Sequence, residues 1–286
     1  MTIIDFIHAL TEYDFLQKAL VTSVMVGIIC GVIGCFIILR GMSLMGDAIS
    51  HAVLPGVAIS YLLGINFFIG AVATGLLTAL GIGFVSQNSR IKNDTAIGIL
   101  FTSAFALGII LISFLRSSSD LYHILFGNVL AVRPSDMWMT LAIGLIVLAA
   151  IFLFYKELLV TSFDPTMAAA YGLSTRLIHY LLMTMLTLVT VASLQTVGII
   201  LVVAMLITPA ATAYLLTNRL SRMIFLSAGL GTISSVIGLY FSFTYNLSSG
   251  ASIVLVATAL FALVFIFSPR HGLLRKWKSA KKELTT

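Results

Sequence analysis

Charged side chains are scarce in this sequence: Asp, Glu, Lys and Arg together make up 9% of its 286 residues. Because a soluble domain carries about 25% charged residues, this scarcity excludes an ordinary soluble globular protein. The chain is instead 60% hydrophobic, with a mean hydropathy of +1.12. Its apolar runs reach about 20 residues, the length of helix that spans a bilayer core. The composition therefore predicts an all-α, polytopic helical membrane protein embedded in a lipid bilayer.

The sequence also lacks an ATP-binding loop and a cysteine pair suited to chemistry. No stretch matches G-x-x-x-x-G-K-[ST], the loop that cradles ATP phosphates, so ATP hydrolysis is expected on a separate chain. The two cysteines, Cys30 and Cys35, point in different directions on a helix, which argues against a disulfide or a shared metal site. Neither enzymatic activity nor a permanently bound cofactor is expected.

Nine apolar runs are long enough to cross the membrane. They cover residues 16–39, 42–63, 67–86, 95–115, 137–155, 177–194, 197–216, 223–243 and 252–267. Several junctions are two to six residues long, so eight spans fit the pattern equally well. Residues 1–286 are therefore expected to form a single transmembrane domain, in which residues 1–15 are an amphipathic segment at the membrane interface.

Basic residues are unevenly distributed, and their positions predict the orientation. The segment 270–286 begins with "RHGLLRKWKSAKK", which holds seven basic residues and no acid. Such a cluster after a last span marks the cytoplasmic side of a cell membrane. The loops that carry Arg90, Arg176 and Arg219 then fall on the same side. The C-terminus is therefore expected in the cytoplasm, and no nucleic-acid partner is needed to explain its charge.

An acidic and an imidazole side chain stand four positions apart in the second run, in "GDAISH". Asp47 and His51 therefore project from one face of a helix, one turn apart. A carboxylate in a bilayer is costly unless it is paired, hydrated or liganded, and a carboxylate with an imidazole can bind a divalent first-row metal. The alternative is that Asp47 forms a salt bridge to Arg40 or to another helix, while His51 is a hydrogen-bonded core histidine.

The metal interpretation requires a second copy of the chain. One helix offers two side-chain ligands, whereas these metals take about four to six. A symmetric dimer would bring together two Asp and two His. Pro55 leaves the carbonyl of His51 without its helical donor, so a kink is expected there. A stripe of small residues beside the pair allows close helix approach: Ala48, Ala52, Gly56 and Ser60.

The stretch "SFDPTMAAAYGL" predicts a short helix outside the spans. Asp164 is placed as an N-cap, with Pro165 at the first helical position, and Gly172 can terminate the helix. We expect this helix to lie parallel to the membrane on the cytoplasmic face. An ordinary amphipathic loop helix is the alternative.

Three other features carry no assigned role at this stage. His123 stands in the loop 116–136, where docking or solvation explains it better than metal binding. His179 is expected to be a satisfied interfacial histidine. Pro209 frees the carbonyl of Met205, which fits a helix along a transport pathway and a structural kink equally well.

Four stretches, taken together and in order, resemble the membrane permease subunit of bacterial manganese/zinc/iron ABC importers, the ABC-3 family. They are "GCFIILRGMSLMGDAISHAVLPGVAISYLLG", "DLYHILFGNVLAV", "SFDPTMAAAYGL" and "VGIILVVAMLITPAATAYLL". The similarity runs over almost the full length and is closest to the manganese-type permeases of Gram-positive bacteria. It implies a type II ABC importer fold and a homodimer. Two cytoplasmic ABC ATPase subunits and an extracellular metal-binding lipoprotein would complete the assembly.

The resemblance also implies roles for particular residues. The family's metal ligands on the second helix match Asp47 and His51. Its cytoplasmic coupling helix, which docks on the ATPase, matches residues 164–173, with these positions implicated: Phe163, Asp164, Pro165, Met167, Ala168, Ala170 and Gly172.

The transported ion is the least constrained inference. The resemblance implies Mn²⁺, and the alternatives are the same importer carrying Zn²⁺ or Fe²⁺, or an autonomous metal channel or secondary carrier. Asp and His suit all three metals, and intrinsic affinity favours Zn²⁺ over Mn²⁺. The preference for Mn²⁺ therefore rests on the resemblance alone.

Overall fold

The fold, taken from a computed structural model, is helical throughout the part of the chain that the structure describes, residues 3–114 and 129–268. The predictions for His123 and for the basic tail 270–286 lie outside these residues. The elements, in chain order, are α1 (Ile3–Glu12), α2 (Asp14–Leu39), α3 (Met45–Ala52), α4 (Leu54–Leu63), α5 (Phe67–Asn88), α6 (Asn93–Ser113), a 3-10 turn (Val129–Ala131), α7 (Pro134–Leu153), α8 (Tyr155–Phe163), α9 (Pro165–Ala170), α10 (Thr175–Val197), α11 (Ile199–Leu216), α12 (Leu220–Tyr245) and α13 (Ser249–Phe267).

Nine spans are long and apolar enough to cross a membrane within the described ranges. They are α2, α3 with α4, α5, α6, α7, α10, α11, α12 and α13. This confirms the all-α polytopic prediction and favours nine spans over eight. The bounds differ by a few residues from those expected. The tightest junction is a single residue, Gly198, whose φ of 84° separates α10 from α11.

Small residues hold the central helix α2 against α12. A Cβ on Gly27 would come within 2.9 Å of the carbonyl oxygen of Gly231. Ser227 donates a hydrogen bond to the carbonyl of Gly31 at 2.8 Å, and Ser235 donates one to that of Ser23 at 2.9 Å. Packing and hydrogen bonding of this kind drive helix association in a bilayer, because lipid is as apolar as the side chains.

Basic residues gather at one end of the bundle, called the basic end below. Because successive spans alternate in direction, the residues that follow α2, α5 and α11 share this end: Arg40, Arg90, Lys92 and Arg219. The helix α1 lies at the opposite end, where the Phe6 ring packs at 5.4 Å from that of Tyr240. With nine spans, α1 and the end of α13 are on opposite sides.

The span that carries Asp47 is discontinuous. It divides at Val53 into α3 and α4, and Pro55 sits in the first turn of α4. This break agrees with the expected effect of proline. Because proline has no backbone N–H, a carbonyl in the preceding turn is left without its helical donor. A helix end inside the bundle is the result, and α3 becomes a separate element of eight residues.

The predicted small-residue stripe packs against a helix of the same chain. Gly56 of α4 lies so close to Gly70 of α5 that a Cβ on either residue would clash with the other's carbonyl oxygen. Ser60 is fully buried in the same contact. The stripe therefore joins α4 to α5 within one protomer.

Gly56→Ala should destabilise the protein by about 1–3 kcal/mol, the usual cost of forcing a methyl group into a packed interior. Gly98→Ala is the matched control, because a Cβ on Gly98 of α6 meets no atom within 4 Å. It should be neutral or slightly stabilising, since Ala is the better helix former. Thermal unfolding in detergent measures both. Equal effects of the two substitutions would contradict the close contact.

Candidate metal-binding site

Asp47 and His51 face each other on α3. Asp47 Oδ1 lies 3.5 Å from His51 Nε2, and the two side chains are 43% and 30% exposed, respectively. Asp47 stands in the first turn of α3, where the partial positive charge of a helix N-terminus stabilises a carboxylate. The start of the span at Met45 thus provides a favourable position for an acid.

Aromatic rings of α6 support the imidazole. The ring centroid of His51 lies 5.7 Å from that of Phe101 and 5.4 Å from that of Phe105, the latter edge to face. Such contacts fix the plane of a ring without using its nitrogen atoms. The nitrogens therefore remain available to a ligand.

The alternative pairing of Asp47 with Arg40 is wrong. Arg40 instead donates from Nη2 to Thr161 Oγ1 at 2.7 Å and from Nε to Ser162 Oγ at 3.1 Å. These bonds tie the end of α2 to α8, immediately before the short helix α9. The sequence analysis missed this link, since its residues are more than 120 positions apart.

His51 lies at mid-depth in the bundle, and Asp47 lies one helical turn nearer the basic end. The His51 ring contacts α6 at Phe101 and Phe105, near the middle of that helix. A Cβ on Gly75, close to the middle of α5, would come within 3.3 Å of Val53 and 2.9 Å of Thr187 in α10. Membrane transporters commonly hold ions near the bilayer midplane on broken helices.

The described residues of one chain do not supply a complete metal site. Within residues 3–114 and 129–268, no three His, Cys, Asp or Glu side chains come together as a potential ligand group. Cys30 and Cys35 are buried and free. The remaining ligands of a site at Asp47 would have to come from outside these residues, from a second copy of the chain or from water.

One side of α11 packs on α3 and the other side is partly exposed. Leu206 of α11 packs on Gly46, whereas the opposite side of α11 carries the residues with exposed surface: Ile200, Ala204, Ile207, Thr208 and Ala211. Pro209 is buried, and α11 continues through it without a break. The exposed stripe therefore lies on the side of α11 that faces away from α3.

The short helix α9 has the predicted local structure. Asp164 accepts hydrogen bonds from Thr166 Oγ1 at 2.5 Å and from the Met167 N–H at 2.9 Å. These bonds lower the pKa of Asp164 below its ordinary value, and the bond from the Thr166 hydroxyl has the larger effect. Gly172 has a φ of 80°, as expected at a helix terminator.

One face of α9 and its flanks is exposed although it is apolar. Ala168 is fully buried and anchors the helix, while Phe163, Met167 and Tyr171 are 59%, 49% and 72% exposed. Exposed apolar groups that stand together mark surfaces for protein contacts. This face lies at the basic end and outside the spans, so the hydrocarbon core of the bilayer does not explain its apolar character.

Taken together, the nine apolar spans of the described residues and an acid–imidazole pair on one of these spans are typical of a membrane transport protein. The model of the ABC 3 transport family matches residues 12–268, and the chain belongs to this family. This confirms the resemblance seen in the sequence.

Curated relatives are similar over nearly their full lengths. The manganese transport system membrane protein MntC of Listeria innocua is 69% identical over 98% of this chain and 99% of its own length. The manganese import system permease protein ScaB of Streptococcus gordonii is 56% identical over 95% and 98%. An iron transport system membrane protein of Haemophilus influenzae is 42% identical over 90% and 95%.

Two solved structures share the fold. The structure of PsaBC from Streptococcus pneumoniae in complex with Fab matches with a TM-score of 0.86 and 55% identity, over 96% of this chain and 99% of the matched chain. An inward-facing ABC transporter of the metal-chelate type matches with a TM-score of 0.71 at 15% identity, over 92% and 89%. The second likeness concerns the fold alone.

Proposed function

We propose that this chain is the membrane permease subunit of an ATP-driven importer in the bacterial cell membrane, and that its cargo is Mn²⁺. Membership in the ABC 3 transport family and the names of the manganese relatives support this function. The observation that carries the proposal is the Asp47–His51 pair on a membrane span, 3.5 Å apart and partly open. An acid in that position needs a partner of positive charge, and a transported cation supplies it.

The working permease is a homodimer in this proposal. Two copies that meet across the partly exposed face of α3 would bring two Asp47 and two His51 side chains together. Four such ligands suit a divalent first-row metal. A two-fold axis brings them together because each protomer contributes the same patch of surface. The half-exposed state of both side chains in one protomer is what such an interface requires.

The basic end faces the cytoplasm. The positive-inside rule assigns this side to loops rich in Lys and Arg, and Arg40, Arg90 and Arg219 lie there. The C-terminal tail then lies in the cytoplasm and α1 on the outer side. Two ABC ATPase subunits would bind at the basic end, and an extracellular metal-binding lipoprotein would dock at the other.

Residues 164–173 act as the coupling helix that docks on the ATPase. The exposed apolar side chains Phe163, Met167 and Tyr171 are suited to a cleft on a partner protein. A movement of α9 would be passed to α8, and from Thr161 and Ser162 to Arg40 through their hydrogen bonds. Arg40 directly precedes the loop that leads to α3, so the route ends at the metal pair.

Transport then follows from the changing ligand set. A hydrated cation released at the outer end reaches the dimer interface, where the Asp47 carboxylates and His51 imidazoles replace part of its water. Movement of the coupling helices separates the two copies of α3 and opens a path to the basic end. The ion must bind strongly enough to enter and weakly enough to leave, which a site shared between two moving helices achieves.

Fe²⁺ is the second candidate cargo, because one relative bears an iron transport name and the same ligands suit Fe²⁺ and Zn²⁺. Uptake by the complete assembly with Mn²⁺, Fe²⁺ and Zn²⁺ in competition tests the choice. We expect Mn²⁺ to be taken up in preference to the others. Metal uptake by the lone chain in vesicles, without ATPase or ATP, would instead favour a channel or carrier.

Asp164→Ala should lower the number of ions transported per ATP, whereas Asp164→Asn should leave it close to the wild-type value. Both remove the carboxylate, but Asn remains a good N-cap and Ala does not. A helix of six residues does not hold together without such a cap. The ratio of Mn²⁺ uptake to ATP hydrolysis in reconstituted vesicles measures the effect. Equal loss in both variants would show that the charge matters rather than the cap.

A further inference from the structure

The basic end of the bundle contains a cavity of about 530 Å³ next to α9, called the basic cavity below. Arg40, Arg176 and His179 line it, together with the amides of Gln87 and Asn93. No Asp or Glu is among its lining residues in the described ranges. The positive potential that results is unfavourable for a metal cation and favourable for an anion.

Arg40 is fixed in this cavity by the chain itself. It donates to the hydroxyl oxygens of Thr161 and Ser162. These hydroxyls donate in turn to the backbone carbonyls of Glu157 and Leu158, so each is held as an acceptor for the guanidinium. Because a guanidinium has further N–H donors in a rigid fork, Arg40 keeps donors for a ligand.

Arg40 has no acidic partner among the described residues to balance its charge. No carboxylate oxygen lies within 4.0 Å of its nitrogens in residues 3–114 and 129–268. Burial lowers the pKa of Arg40 to about 10, which still leaves the group a cation at neutral pH. A partly buried cation without a counter-ion is unfavourable, and an anion in the cavity would remove this penalty.

His179 departs from the sequence expectation in the same place. It was expected to be a satisfied histidine, yet its imidazole makes no hydrogen bond to another described residue, and its ring lies 5.9 Å from that of Tyr180. It lines the basic cavity between Arg40 and the start of α10. Its Nε2 edge packs against α5, where a Cβ on Gly83 would come within 3.2 Å of this nitrogen, so His179 forms part of the cavity wall.

We propose that the basic cavity binds the phosphate group of an anionic ligand, with Arg40 at its inner wall and the exposed Arg176 at its rim. Guanidinium groups bind phosphate through paired hydrogen bonds. Basic pockets between membrane helices on the cytoplasmic side bind anionic headgroups, so an anionic phospholipid is the source that this position favours over free phosphate. The assignment of the side rests on the proposed function, whereas the chemistry of the cavity does not.

The test measures phospholipid bound to the full-length chain in detergent by native mass spectrometry, with titration of phosphatidylglycerol or phosphatidylcholine. We expect phosphatidylglycerol to be bound in preference to phosphatidylcholine. Arg176→Gln should weaken its binding about fivefold, the contribution of one basic residue near a membrane surface. Arg222→Gln is the matched control, because Arg222 is exposed at the same end but does not line the cavity. It should leave binding unchanged.

A second arm uses inorganic phosphate as the probe and distinguishes the two sources. If phosphatidylglycerol is retained and Arg176→Gln weakens its binding, the ligand is a lipid. Binding of inorganic phosphate with the same dependence on Arg176, and no retention of lipid, supports free phosphate. Arg40→Lys keeps the charge but loses the fork, and should weaken either ligand in a chain that elutes as a folded protein.

Two results would overturn the proposal. Equal weakening by Arg176→Gln and Arg222→Gln would mean that surface charge in general attracts the ligand. The site would also be ruled out if the chain showed no preference for phosphatidylglycerol over phosphatidylcholine and did not bind inorganic phosphate. Neither measurement needs metal, ATP or a partner protein. A negative result would therefore rule out the phosphate site without bearing on the proposed permease function.

Discussion

Mn²⁺ uptake should fall at least about 100-fold in an Asp47→Asn permease, and His51→Ala should have a similar effect. Loss of a group that merely supports a metal ligand costs about 10–100-fold, so loss of the ligand itself belongs at or beyond the upper end. In a homodimer each substitution removes two ligands at once. Uptake of radioactive Mn²⁺ by cells or vesicles that contain the complete assembly is the measurement.

Ser50→Ala is the control for this prediction. Ser50 stands between the two ligands on α3, but its hydroxyl is buried and donates to the carbonyl of Gly46 at 2.8 Å. Its removal leaves Asp47 and His51 in place and should leave uptake near the wild-type rate. All variants should elute as folded dimers. Normal uptake by Asp47→Asn, or an equal loss in Ser50→Ala, would contradict the assignment of the metal site.

Met167→Asp should uncouple the importer: ATP hydrolysis continues while Mn²⁺ uptake falls by about 100-fold or more. Met167 is half-exposed on the proposed coupling helix, where it would be covered by the ATPase. A charge left unpaired in such a contact costs about 3–5 kcal/mol. This free energy corresponds to a loss of more than about 100-fold in affinity for the ATPase. Uptake and ATP hydrolysis are compared in the same vesicles.

Met167→Leu is the conservative counterpart, since it keeps an apolar side chain of similar volume. It should restore coupling to near the wild-type value. Metal binding by the Met167→Asp permease should be unchanged, because Met167 lies outside the spans and away from Asp47. Full coupling in Met167→Asp would remove the role assigned to residues 164–173.

Local patterns in the sequence predicted much of this structure. The nine apolar runs correspond to the nine spans of the described residues, because backbone polar groups in a bilayer must be satisfied within the structure, as they are in helices. The break before Pro55 and the cap at Asp164 were also predictable, since each depends on one residue and its nearest neighbours. The 3.5 Å separation of Asp47 and His51 follows from their spacing on one helix.

Contacts between distant segments were not predictable in this way. Nothing local to Arg40 reveals Thr161 and Ser162 as its acceptors, so a salt bridge to the nearby Asp47 was a reasonable but wrong alternative. The basic cavity combines residues from the ends of several helices, and no linear motif joins them. The partner helix of the small-residue stripe, α5, likewise emerged from the three-dimensional packing.

The contact between Gly56 and Gly70 has a mechanical consequence. At this contact the two backbones approach without intervening side chains, so we expect α4 and α5 to move together as one hairpin. Val53, where α3 meets α4, is then the position at which we expect the angle between them to change. Such a change would move Asp47 and His51 while α4 and α5 stay in place. A crosslink that locks α4 to α5 should therefore be harmless to transport, whereas one that locks α3 to α11 should stop it.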